Sequence, residues 1–386
     1  MKVKLLFALV AVFLFGGGFL SGVLFSKQQS DEKVAQATII ETPLSGKNPN
    51  PKQTPNFPES QSKVLIGYVQ DFRDSGQLDM THLTHVVFSF GHPTKDGDLL
   101  LNGDTALKNL QETVKIAHKQ DKKVLLAVGG WYHISGGESY EYFKTALASS
   151  SSRTKLVNEL INIVERENLD GIDIDFEHPR SKEDAKNLTT FIQMLSDQLK
   201  PNGKELTIAV NAKVHSVAGT EITSVVYEPT MFQYVDYVNI MAYDGQWDGG
   251  YNAANLAPYS FIENIVSYWT DLFETHQLDK EKLVLGVPFY AQPEDPNVKQ
   301  VSYATIIKHS SKSPDQDKIN LNGTTYHFNG TKTMERKTAL ALEHGFGGMM
   351  IWEAGHDAFG PHSLTASISA KLQEQAVSNR KLYTRN

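Results

Sequence analysis

The stretch DGIDIDFEHP, Asp170 to Pro179, sets four acids among residues that are otherwise glycine or apolar up to its His-Pro end. Asp173, Asp175 and Glu177 alternate with Ile172, Ile174 and Phe176. That is the period of a β-strand, whose successive side chains point to opposite faces. One face is apolar and suits packing against helices; the other is acidic. Buried carboxylates are costly unless they are paired or put to use. A strand that reads as buried and still carries three acids on one face therefore marks a functional position. Asp170, just ahead of it, reads as a residue that turns the chain into the strand.

The flanks of this strand decide the architecture. Amphipathic helical patterns precede it (SRTKLVNELINIVERENL) and follow it (SKEDAKNLTTFIQMLSDQL), and the alternation recurs along the chain. Eight strand candidates begin at Lys63, Thr84, Lys123, Asp170, Leu206, Val235, Lys282 and Gly347. Further helical patterns lie in TALKNLQETVKIAHKQ and SFIENIVSYWTDLFETH. Near-continuous apolar strands alternating with helices predict a parallel sheet covered on both faces. Eight such units predict an α/β fold of the (β/α)₈ TIM-barrel class over residues 62–386. The first strand–helix turn lacks the glycine-rich phosphate fingerprint of a dinucleotide fold.

Ahead of the barrel, Lys2 and Lys4 precede the uncharged run Leu5 to Phe25, long enough to cross a bilayer as one helix. The charged start also fits a secretory signal, so residues 1–26 are expected to be a signal peptide or a signal-anchor helix. Lysines on the N-terminal side place the remainder outside the cytoplasm, either secreted or tethered to the membrane. Residues 27–61 are polar and rich in Pro, Gln and Ser, a composition that predicts a flexible linker. The net charge is −7, with no long basic run, which argues against a nucleic-acid partner. With no cysteine in 386 residues, disulfides, thiolate metal sites and cysteine nucleophiles are excluded. No cofactor and no metal are expected, and a monomer is expected.

Barrel active sites lie at the C-terminal ends of the strands, which puts Glu177 at the mouth with Asp173 and Asp175 inside. Crowding carboxylates at a site of low dielectric raises the pKa of at least one of them. A protonated Glu beside an ionised Asp can donate a proton to a glycosidic oxygen. Oxygen-ligand binding of a divalent cation is the competing use of such a cluster, but no further acid or His cluster joins it at the other strand ends.

The pattern D-x-x-D-x-D-x-E on a fourth barrel strand resembles glycoside hydrolase family 18, the chitinase-like hydrolases. VLLAVGGW resembles the family's third-strand S-x-G-G segment and MAYD (Met241 to Asp244) its sixth-strand M-x-Y-D. KLVLGVPFYA and GGMMIWEAGHD resemble its seventh and eighth strands. The likeness runs from Lys63 to about Asp357. It implies a retaining, substrate-assisted glycosidase acting next to N-acetylglucosamine in chitin or its oligomers. On that resemblance Glu177 is the general acid and then base, and Asp175 orients the acetamido group that attacks the anomeric carbon. Tyr243 donates to the acetamido carbonyl, Asp173 shares a proton or hydrogen bond with Asp175, and Asp244 contacts the sugar. Trp352 floors the site, Met241 lies in the substrate-binding set, and Tyr68 helps satisfy the inner acids.

Ala127 departs from the family, standing where S-x-G-G has Ser. A methyl group offers no hydrogen bond, so a shifted pH optimum is expected. His178 is expected to point away from the acids, and Gly129 and Gly130 to be positions of special backbone geometry. Trp131 and Trp247 either stack on distant sugars or cover the rim. The segment from Tyr290 to Phe346 reads as too short for an added α/β insert, which predicts a shallow, open, endo-acting cleft. The sequons at Asn187, Asn322 and Asn329 carry no weight. Peptidoglycan and the chitobiose core of N-glycans are alternative substrates for the same chemistry. A catalytically silent, lectin-like binding protein, or a structural role at a cell wall or spore surface, are the readings from other classes.

Overall fold

The computed structural model describes residues 63–310 and 314–383. The expected signal or anchor segment and the linker lie outside them, and no described helix is long and apolar enough to cross a membrane.

Eight parallel strands close on themselves. They are β1 (Val64–Gln70), β2 (His85–Pro93), β3 (Lys123–Gly129), β4 (Gly171–Asp175), β5 (Glu205–Asn211), β6 (Tyr237–Met241), β7 (Leu283–Pro288) and β8 (Gly348–Trp352). Each pairs with its neighbours in chain order, and β8 closes the barrel against β1. Every strand expected from the sequence is present. The helices are α1 (Gly103–His118), α2 (Ser139–Ala148), α3 (Ser150–Arg166), α4 (Lys182–Leu199), α5 (Tyr259–Thr275), α6 (Tyr303–His309), α7 (Thr331–Glu343) and α8 (Leu364–Tyr383).

Two crossovers depart from the regular pattern. Between β1 and β2, and between β5 and β6, the chain returns through 3₁₀ turns (Ser75–Gln77 and Pro229–Gln233) without an α-helix. β3 is instead followed by two helices, α2 and α3, whose boundary is Ser149, capping α3 by accepting from the Ser152 N–H.

The acidic strand divides as its period predicts. Ile172, Ile174 and Phe176 are buried, and Phe176 stacks on Phe143 and Tyr140 of α2 at 5.0 and 5.7 Å. Asp170 is architectural: its carboxylate accepts from the Val124 N–H (2.8 Å) and meets His118 Nε2 (2.7 Å), joining β3 and α1 to the entrance of β4.

The stretch after β7 corrects the expectation of no insert. Four short antiparallel strands, Tyr290–Pro293, Val301–Ser302, Lys318–Leu321 and Thr324–His327, form a small sheet with α6 beside it. Antiparallel hairpins need few residues, unlike parallel crossovers. Asn322-Gly323, both at positive φ (54° and 87°), is the two-residue hairpin turn that signals this sheet in the sequence. The sequon at Asn329 is closed off: that side chain is buried and its amide oxygen accepts from Lys337 Nζ.

Candidate active site

Strand alternation carries one set of side chains from each strand into the barrel. Tyr68 and Gln70 come from β1, Asp173 and Asp175 from β4, Thr207 and Ala209 from β5, Asn239 and Met241 from β6, and Met350 and Trp352 from β8. The lower members fill the interior; the upper ones open into a cleft of about 800 Å³ at the strands' C-terminal ends.

Asp173 sits at the bottom of this stack, fully buried. Tyr68 donates to its Oδ2 at 2.7 Å, and Oδ1 accepts from the Thr207 hydroxyl and from Asn239 Nδ2 (3.1 Å). Burial pushes its pKa up while these three donors pull it down. The donors to Asp173 come from β1, β5 and β6, and its charge contributes to raising the pKa of Asp175 above it. Asp173 supports the site from beneath and has no face on the cleft. Thr207 and Asn239 went unnoticed in the sequence; their signal is the alternation of β5 and β6, which turns both inward, Thr207 in register with Asp173 and Asn239 with Ala209.

The other expected residues, Tyr68, Asp175, Glu177, Met241, Tyr243, Asp244 and Trp352, all line the cleft. Asp175 is buried, and its Oδ1 has no hydrogen-bond partner. Burial, then the charges of Glu177 and Asp173, hold its pKa well above the ordinary carboxylate range. Glu177 lies two residues past the end of β4 with its side chain 17% exposed. Burial in the cleft and, secondarily, the Asp244 carboxylate push its pKa up to about 8. Asp244 is held in turn by Gln246 Nε2 (3.0 Å) and by the hydroxyl of Tyr290, the first residue of the insert. Tyr243 directs its hydroxyl to Met350 Sδ at 3.9 Å, and burial raises its pKa well above the usual phenol value.

Trp352 forms the floor, with Phe90 stacked against it at 5.9 Å and Tyr68 tilted at 5.7 Å. Behind it Glu353 is fully buried against Arg73, with His356 Nε2 at 3.2 Å. Trp131, Tyr132 and Trp247, all exposed, form the rim. None of the described residues of the insert sheet lines the cleft. Among the described residues no group of three or more His, Asp or Glu is placed to hold a metal ion.

His178 corrects a second expectation. It lines the cleft with Nε2 3.7 Å from Glu177 Oε2. The alternation that predicted the opposite face lapses where β4 ends at Asp175. Ala127 is fully buried and level with Asp173 in the β3–β4 register. Asp173 has three donors without a hydroxyl there, and the carboxylate oxygen left without a partner belongs to Asp175.

Residues 64–357 match the description "Glycosyl hydrolases family 18". The chain belongs to that family. The chain's relatives include a probable chitinase 10 of Drosophila melanogaster, 26% identical over an alignment of 258 residues that covers 61% of this chain and 10% of that one. The chain spans between 10% and 56% of the length of that and three other curated chitinases or chitinase-like proteins. In fold, the family 18 chitinase ChiB of Flavobacterium johnsoniae superposes with a TM-score of 0.67 at 24% identity, covering 82% of this chain and 96% of its own. A chitinase-like agglutinin from Robinia pseudoacacia superposes with a TM-score of 0.66 at 20% identity, covering 80% and 99%.

Gly129 holds β3 against the acidic strand. Its φ is +121°, and a Cβ there would stand 2.1 Å from the Asp175 carbonyl oxygen, which the Gly130 N–H binds at 2.9 Å. Gly129→Ala is expected to lower stability by at least about 2 kcal/mol, read from urea denaturation. An unchanged midpoint would refute this close approach.

Proposed function

We propose that this family 18 chain is an exported glycosidase that hydrolyses β-1,4 bonds next to N-acetylglucosamine in chitin or its oligomers. The observation that carries the reading is the placement of Glu177: a largely buried carboxyl at the mouth of a barrel, beside two further acids and above an aromatic floor.

The chemistry is the one the family resemblance implies, and the geometry suits it. Glu177 gives its proton to the glycosidic oxygen as the bond to the anomeric carbon breaks. The attacking atom is the carbonyl oxygen of the substrate's own acetamido group, so no enzyme nucleophile is required. Asp175 suits this step, because its unpartnered Oδ1 can accept the acetamido N–H. The positive charge that develops on the oxazolinium favours the ionised form of Asp175, which in turn stabilises it. Tyr243 donates to the acetamido oxygen, aligning it for attack. Asp173 keeps Tyr68 and Asn239 in place below. Water, activated by the Glu177 carboxylate, opens the oxazolinium with overall retention, and the proton returns to Glu177. Trp352 packs under the sugar whose bond is cut, Met241 lies beside it and Asp244 binds a hydroxyl. Trp131 and Trp247 extend the aromatic surface toward more distant sugars.

The cleft lining carries three carboxylates and no lysine or arginine. That favours a neutral N-acetylglucosamine polymer over peptidoglycan, whose muramic acid and peptides bring negative charge. Export rests on the N-terminal apolar segment.

Release of a fluorophore from a chitotrioside tests the reading. Glu177→Gln is expected to cut kcat by about 10²- to 10⁴-fold, and wild-type kcat/KM to fall on the basic side with a midpoint near the value of about 8 held by Glu177. Binding without release by the wild type would point to the lectin-like alternative. A parallel digest of chitin oligomers, peptidoglycan and N-glycoprotein, read by mass spectrometry, identifies the substrate.

The same shift has a sign for stability. Glu177's folded pKa lies above its ordinary value of 4.5, so the folded state holds the extra proton. Its contribution is complete below about pH 4.5 and is lost as pH rises toward about 8. Glu177→Gln is therefore expected to raise the thermal midpoint relative to wild type at about pH 9 and to leave it nearly unchanged at about pH 4. Equal differences at both pH values would contradict the shift.

Ala127→Ser adds a donor beside the inner acids, which favours their ionised forms. The acid limb of kcat/KM is expected to move to lower pH by a fraction of a unit; superimposable profiles of the two proteins would refute this.

A further inference from the structure

His178 has no part in the chemistry above, yet it stands at the reacting carboxyl. Its side chain is 15% exposed, and its Nε2 lies 3.7 Å from Glu177 Oε2 and 3.5 Å from Asn211 Nδ2. Asn211 is the last residue of β5, and its orientation is fixed: Oδ1 accepts the Lys213 N–H at 2.8 Å. The amide nitrogen is thus the end that faces the imidazole. An amide NH₂ can only donate, so Nε2 must present a lone pair, and the ring proton belongs on Nδ1. At the other end of the ring Nδ1 is buried without a partner, so its N–H goes unsatisfied in this form and the Asn211 contact alone selects it.

We propose that Asn211 and His178 form a positioning pair that keeps the proton on Glu177. The Asn211 amide selects the tautomer in which the Nε2 lone pair, and not an N–H, faces the Glu177 carboxyl. The inference rests on the reading of Glu177 as the proton donor and adds to it the device that holds the proton there.

The physical argument is one of preference between two states of the carboxyl. A protonated carboxyl can direct its O–H at that lone pair, sharing it with the long Asn211 contact of 3.5 Å, whereas a carboxylate facing the same lone pair is repelled. The gap of 3.7 Å is too long for a direct hydrogen bond; a small side-chain rotation or one bridging water closes it. The opposite tautomer would donate an N–H to the carboxylate and favour early loss of the proton.

Other groups face Glu177. Asp175 comes from β4, Tyr243 and Asp244 from the end of β6, and Tyr227 from the β5–β6 connection. Burial and, secondarily, the Arg180 charge keep the His178 imidazole neutral, its pKa lowered to about 4. Trp131 stands 6.3 Å from the ring. The imidazole differs from these groups in that a tautomer, not a hydroxyl rotation, sets the hydrogen-bonding end it presents to Glu177.

Nitrogen NMR of the full chain carrying ¹⁵N-histidine, with His178 assigned by its loss in His178→Phe, reads the tautomer directly. The Nδ1–H form is expected, and the Nε2–H form would overturn the proposal without any variant of Asn211. The ionisation of Glu177 is then followed as the carboxylic-acid infrared band that Glu177→Gln removes. Asn211→Leu is expected to lower its midpoint by about one pH unit, and to have no effect in the His178→Phe background. An unmoved midpoint, or the same shift in both backgrounds, counts against the pair. Both measurements use unliganded protein, so failure to hydrolyse any chitooligosaccharide would defeat the functional reading while the tautomer and the titration still judge the pair.

Discussion

A single buried carboxylate, Asp173, holds the interior of this barrel together. Three donors from three other strands converge on its two oxygens: Tyr68 from β1, Thr207 from β5 and Asn239 from β6. A carboxylate in a fully enclosed position is tolerable only with such a set of partners. The demand runs both ways. A slip of any of these strands by one residue would turn its donor to the outer face and leave the charge uncompensated. The polar layer therefore specifies register in a barrel whose remaining contacts are largely interchangeable aliphatic packing.

Above this layer the acids differ by what surrounds them. Asp173 accepts from three donors and has no face on the cleft. Asp175, two residues on, shares the same face and has an oxygen with no partner. Glu177 lies beyond the last strand hydrogen bond, in a cleft where burial and the Asp244 charge favour its neutral form. One strand thus supplies a strut, a receptor for a donor and a proton source, at successive heights along the barrel axis.

The strands, the four quoted helices and the inward acids were legible in the sequence because each follows a period that the chain repeats. Asp170 and Gly129 were legible because turns and close approaches demand particular residue types. What escaped was of two kinds. Thr207 and Asn239 are ordinary strand residues until both reach the Asp173 carboxylate, a relation that exists only across strands. His178 was misread because the alternation rule was carried past the point where its cause, strand pairing, stops. The insert after β7 was misjudged by length alone, although Asn322-Gly323 announces a hairpin.

The insert's first residue, Tyr290, holds Asp244, and Asp244 raises the pKa of Glu177. The little sheet is thus geared to the proton donor through one hydroxyl and one carboxylate, although it lines no part of the cleft. Chain can be added or removed at the sheet's far hairpin, where Asn322-Gly323 turns, without disturbing that gear. Loss of the Tyr290 anchor, by contrast, would change the acid's environment with every cleft residue intact. The excursion is a tuning element separable from the barrel, and an engineer could exchange its outer hairpin while leaving the reactive strand untouched.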